Sequence, residues 1–187
     1  MPADIRLDAE AVKVLAHPLR SRLLTALRRD GPATATELAD RLETNTGATS
    51  YHLRKLESVG LVEDTGEGEG KRREWQAASR SHSWAPSDFA GDEDAEASLA
   101  WLTRDYVRQA AEKMQRWLDH EHSWPKEWRD ALGISDEALL VTPAQLEELH
   151  TELFALITRY RDIGRGDPAA RDVSIWLMSH PKNNSHD

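Results

Sequence analysis

Between residues 46 and 57 the chain places Thr46, Thr49, Ser50, Tyr51, His52, Arg54 and Lys55 on what reads as one helix, with Leu53 and Leu56 pointing inward. Short hydroxyls and an imidazole can hydrogen-bond base edges, and long cations can reach phosphates, so this set suits nucleic-acid contact. Polarity alone does not distinguish such a helix from a solvated one, so its neighbours decide. For Tyr51, core packing is an equally good reading. A second basic cluster, Lys71-Arg72-Arg73, lies in GKRREW; consecutive strand residues face opposite ways, so one of the two arginines is expected to be merely solvated.

Other chemistries find little support. Cysteine is absent, which excludes disulfides, thiolate metal sites and a cysteine nucleophile. His120 and His122 with Glu121, or His150 with Glu147, offer nitrogen and oxygen ligands, but histidines two apart on a helix face different ways. Metal binding is therefore not expected, nor is a cofactor. There is no G-x-S-x-G, no H-E-x-x-H and no phosphate-cradling glycine loop, and the stretch GEGEG carries carboxylates that repel phosphate. An enzyme is the weakest class. Trp84, Trp101, Trp117, Trp124, Trp128 and Trp176 could wall a pocket for an apolar small-molecule effector, although packing or subunit contact is the commoner use of tryptophan.

The net charge of −9 opposes DNA binding when taken whole. Its distribution changes the reading. Residues 1–80 carry thirteen cations and thirteen carboxylates, whereas residues 81–187 carry eleven and twenty. All seven tryptophans lie at or after Trp75. We therefore expect a domain over 1–80, an acidic, Trp-rich helical domain over 81–187, and a junction near 79–92, where the polar stretch SRSHSWAPSDFAGDED falls. The start of the chain has no basic segment followed by an apolar run, and no stretch approaches a membrane span, so a cytoplasmic protein is expected.

The elements that would position the polar helix follow from periodicity and caps. Val12, Leu15 and Ala16 mark a first helix that stops at His17-Pro18; Leu19, Leu23, Leu24 and Leu27 mark a second, ended by Asp30-Gly31-Pro32. Thr34 with Glu37 fits a capping box opening a short third helix over Leu38, Ala39 and Leu42. Thr44 or Thr46 would cap the fourth, which Gly60 would end. Leu61-Val62 begins a strand, residues 66–70 form a tip, and 72–77 return as a second strand. Beyond lie amphipathic helices over 95–121 and 143–163, a shorter one over 124–132, and a strand or buried helical turn at DVSIWLM, 172–178. The long stripes exceed what one small domain must cover, so burial against a second subunit is expected.

Two short helices joined by a polar turn, the second followed by a glycine and a hairpin, place one helix in a major groove. The fold class is thus mainly α with a small β-hairpin: a winged helix-turn-helix domain followed by a helical region used for dimerisation or effector binding. The segments LAHPLRSRLLTAL, TELADRL, TSYHLRKLESVGLV and GKRREW, within residues 7–77, resemble the ArsR-type winged-helix transcriptional regulators. That resemblance implies operator DNA as partner and a homodimer. It implies that Thr46, Ala48, Thr49, Ser50, Tyr51 and His52 face the groove, that Arg54 and Lys55 lie at phosphates, that Lys71, Arg72 and Arg73 form a basic wing, and that Arg20 touches the backbone. Many such regulators sense metals through cysteines of the third helix; here that helix reads TATELADRL and has none. A winged domain that has lost its grip on DNA and binds another protein through the acidic half is the alternative.

Overall fold

The computed structural model describes residues 4–68, 70 and 72–181. The chain forms two compact units, Met1–Gln115 and Arg116–Asp187. The first holds β1 (Asp4–Arg6), α1 (Ala9–Leu15), α2 (Pro18–Asp30), β2 (Ala33–Thr34), α3 (Ala35–Arg41), α4 (Thr46–Glu57), β3 (Val62–Asp64), β4 (Glu74–Ala77) and β5 (Ser81–Ser83). Helix α5 (Glu93–His120) starts in the first unit and ends in the second, which adds α6 (Lys126–Ala131) and α7 (Pro143–Tyr160). The fold is a winged helix-turn-helix domain followed by a mainly helical region.

Local signals explain most boundaries. Asp8 caps α1, and Pro18 occupies the first turn of α2, where a missing N–H costs nothing. His17 caps α2 through Nδ1, which accepts the Leu19 N–H at 3.1 Å. The Thr34–Glu37 capping box is present in both directions. Past α4 the chain turns at Gly60, whose φ of +69° suits a residue without Cβ. Strands β3 and β4 pair antiparallel as the wing, with Val62 opposite Ala77 and Asp64 opposite Trp75, and β2 adds to the far side of β4.

The first unit is larger than the expected 1–80. Strand β5 pairs in parallel with β1, Asp4 opposite Ser81, and Phe89, Ala95, Leu99 and Leu102 enter the same core as Leu15, Leu23, Leu53 and Leu61. The polar stretch over 79–92 therefore lies inside a compact unit, because its few apolar side chains find burial that composition does not reveal. At the other end, 172–178 forms neither strand nor helical turn: Val173, Ile175, Trp176, Leu177 and Met178 are all exposed. A strand needs an edge to pair with, and among the described residues no strand edge takes up this segment.

Two polar groups tie β5 and α5 to α2. Asp105 is buried and accepts bonds from the Ser21 hydroxyl at 3.3 Å, Gln109 at 2.6 Å and Arg108. Arg28 donates to the Ser79 carbonyl and hydroxyl, each at 3.0 Å, and to Nδ1 of His82. A guanidinium cannot accept, so His82 Nδ1 must be bare and Nε2 carries the proton, which it donates to the Tyr106 oxygen at 2.8 Å. Desolvation, and then the Arg28 charge, pushes the His82 pKa down from 6.5 to about 3. Because the folded form stays neutral while the unfolded chain takes a proton below pH 6.5, stability is full above that pH and drains away as pH falls towards 3. At pH 5 the loss is about 2 kcal/mol. Urea unfolding at pH 7 and pH 5 should show a loss about 2 kcal/mol smaller in His82→Gln than in the wild type; equal losses in both would remove His82 as a source.

Candidate nucleic-acid interface

Helix α3 ends at Arg41, and the link to α4 turns through Glu43, whose φ is +52°. The cap of α4 is Asn45, not Thr44 or Thr46: its side-chain oxygen accepts the Ala48 N–H at 2.7 Å. Asparagine serves as well as threonine here, and the position was decided by where the turn leaves the chain.

Along α4, Thr49, Leu53 and Leu56 are buried, at spacings of four and three that define one inward face. Thr46, Tyr51, Arg54 and Lys55 are exposed, and Ala48, Ser50 and His52 are half-buried. Tyr51, which could have been a core residue, is 54% exposed, with Lys55 Nζ lying 5.9 Å from its ring centre. Thr49 is a correction. It is 0% exposed and its hydroxyl has no hydrogen-bond partner, so it packs the helix onto the core instead of facing a groove. An unpaired buried hydroxyl is costly. Thr49→Val should therefore raise the unfolding free energy, by about 1 kcal/mol, and leave DNA affinity unchanged; a tenfold loss of affinity would return Thr49 to the interface.

Arg20 and His17 border this face from the start of α2. Arg20 donates through Nε to the Val14 carbonyl, so part of its guanidinium is committed to the end of α1. The His17 and His52 rings lie 4.4 Å apart, and His52 Nδ1 is buried without a partner. Both imidazoles titrate below the usual histidine range, through desolvation first, and then through the charge of Arg20 at His17 and of His17 and Arg20 at His52. His17 was missed in the sequence because it reads as the last residue before a proline. That position, the N-cap of a proline-started helix, was the available signal.

The wing is not basic as a whole. Over 61–76 carboxylates outnumber cations five to three. Arg73 lies before β4 and, although its side chain is 53% exposed, is met by protein carboxylates, 3.5 Å from Glu57 and 3.4 Å from Asp64, and lies over the Trp75 ring at 5.6 Å. Arg72 is exposed. Neither arginine belongs to a strand, so alternation does not separate them; the acidic neighbours of Arg73 do. Lys71 lies outside the described residues.

The remaining candidates are dispersed. His120 Nδ1 donates to the Arg116 carbonyl at 2.8 Å and His150 Nε2 lies 3.1 Å from the Ser179 hydroxyl. Among the described residues no group of three or more His, Asp or Glu could hold a metal ion. Trp84 stacks on His82 at 5.7 Å, and Trp101 borders a shallow open recess of about 470 Å³ with Lys13, Ala16, Asp94, Ala97 and Ser98. In the second unit, Trp124 and Trp128 meet edge to face at 6.2 Å. Among the described residues no helix is long and apolar enough to cross a membrane.

No curated protein matches the sequence. Among solved structures, reduced HlyU from Vibrio cholerae N16961 is similar at 26% identity, with a TM-score of 0.34, over 52% of this chain and 85% of that one. Residues 15–65, from the last residue of α1 past β3, match the family model described as a helix-turn-helix domain. The exposed polar face of α4 thus belongs to a helix-turn-helix domain.

Proposed function

We propose that this chain is an ArsR-type transcriptional regulator that binds operator DNA as a homodimer and reads it with α4. The observation that carries this reading is the outward face of α4, where Thr46, Tyr51, Arg54 and Lys55 stand exposed on a helix whose opposite face is anchored by Leu53 and Leu56 inside a matched helix-turn-helix domain. Ser50, His52 and Ala48 line the edge of that face, Arg20 borders it, and Arg72 is the described wing cation free to meet a phosphate. Base contacts come from the hydroxyls, Tyr51 and His52, and the register on the duplex comes from the cations. The helical C-terminal region serves dimerisation and is where a small-molecule effector would act, and the working compartment is the cytoplasm.

The test is retention of genomic DNA fragments by the purified protein over a salt series. Binding whose logarithm falls linearly with log salt, and which selects a reproducible set of fragments, supports the proposal. A second reading is favoured by the acidic wing and the −9 charge: a winged module that binds a protein partner instead of DNA. No retention at low salt would select it.

A further inference from the structure

Helix α7 presents an apolar stripe that its own unit does not bury. None of its residues is buried: Leu146, Leu149 and Leu153 are half-buried, and Leu156 and Tyr160 are 41% and 62% exposed, with Phe154 beside the stripe at 59%. The segment over 173–178 keeps its own apolar side chains 40–63% exposed, and Ser179 beyond it reaches α7 at His150, 3.1 Å away at the edge of the stripe. The stripe has a definite period. Leu146, Leu149, Leu153, Leu156 and Tyr160 follow one another at three, four, three and four residues, the alternation of a seam that faces a partner helix. With Leu146, Leu153 and Tyr160 at a and Leu149 and Leu156 at d, the flanking g positions are Gln145, Glu152 and Arg159, and the e positions are His150 and Ile157.

We infer that α7 pairs antiparallel with α7 of a second copy of this chain. Charge selects both occupant and direction. In an antiparallel pair each g position faces a g position of the other helix; layering Leu153 on Leu156 of the partner copy then sets Glu152 opposite Arg159, twice by symmetry, with Leu149 against Tyr160 at either end. A parallel pair would set g against e, Gln145 by His150 and Glu152 by Ile157, with no opposite charges meeting. The acidic side chains Glu147 and Glu148 fall at b and c, away from the seam, so the surplus negative charge of this half does not oppose the contact. The Thr142–Gln145 capping box and Pro143 fix the first turn of the helix up to its first seam residue.

The inference rests on the homodimer reading and names its surface. Sedimentation equilibrium of the full chain up to about 50 μM should return a dimer, at concentrations where a specific contact of this kind is populated. Leu153→Glu with Leu156→Glu should return a monomer with unchanged helix content, since neither side chain is buried within the chain. Glu152→Arg and Arg159→Glu should each weaken the dimer, by about tenfold, and the two together should restore it. A monomeric wild type overturns both the inference and the homodimer reading. A leucine variant that stays dimeric overturns the inference alone and moves the interface elsewhere, and a charge swap that fails to restore affinity overturns the antiparallel direction.

Discussion

Replacing Leu53 by alanine is expected to lower the unfolding free energy by about 3 kcal/mol, the largest stability effect of any single change considered. Leu53 is 0% exposed and sits between Thr49 and Leu56 on the inward face of α4, in one core with Leu24, Leu38 and Leu61. The cost combines the lost transfer of the apolar side chain with a cavity that helices held by caps at both ends cannot close. Urea unfolding at pH 7 measures it, through a shift in midpoint with an unchanged slope. A loss under about 1 kcal/mol would mean that the inward face of α4 is not packed as described. Tyr51→Ala is the contrast: half-exposed, it should cost under about 0.5 kcal/mol of stability and act on DNA instead.

The second large effect concerns binding. Arg54→Ala should weaken operator affinity by about 1–3 kcal/mol, roughly five- to a hundred-and-fiftyfold, and, like Lys55→Ala, should lower the salt slope by about one. Both side chains are exposed, and the α4 helix bearing them has a single carboxylate, Glu57. Arg72→Ala should act like Lys55→Ala. Arg73→Ala should change the slope least, because its charge is already met by Glu57 and Asp64. The measurement is affinity for a selected fragment at four or five salt concentrations. An Arg54→Ala protein with wild-type affinity and slope would take α4 out of the groove.

The helices were legible because their causes are local. Thr34 with Glu37, Thr142 with Pro143, and Leu19 through Leu27 each combine a cap with a period, and α3, α7 and α2 follow them. The exposed members of the site were legible for the same reason: Thr46, Arg54 and Lys55 fall outside the apolar stripe of their own helix. Thr49 was not, since a threonine four residues before a leucine carries no mark saying whether its methyl or its hydroxyl governs. The wing's arginines misled because sequence neighbours, not spatial ones, were counted. Glu57 meets Arg73 across sixteen residues.

Residue periodicity and capping chemistry, acting over a few residues, sufficed to determine the order of the helices, the winged helix-turn-helix class and the polar stretch over 46–57. Only the tertiary structure decided that Asn45 begins that helix, that Thr49 turns inward, that His17 lies against His52, and that β5 and most of α5 belong to the same unit as the helix-turn-helix. All but the first depend on contacts between distant parts of the chain, as when Asp4 meets Ser81 or Ser21 meets Asp105. Such pairings are set by which surfaces can be buried together, and no local window of sequence contains both partners.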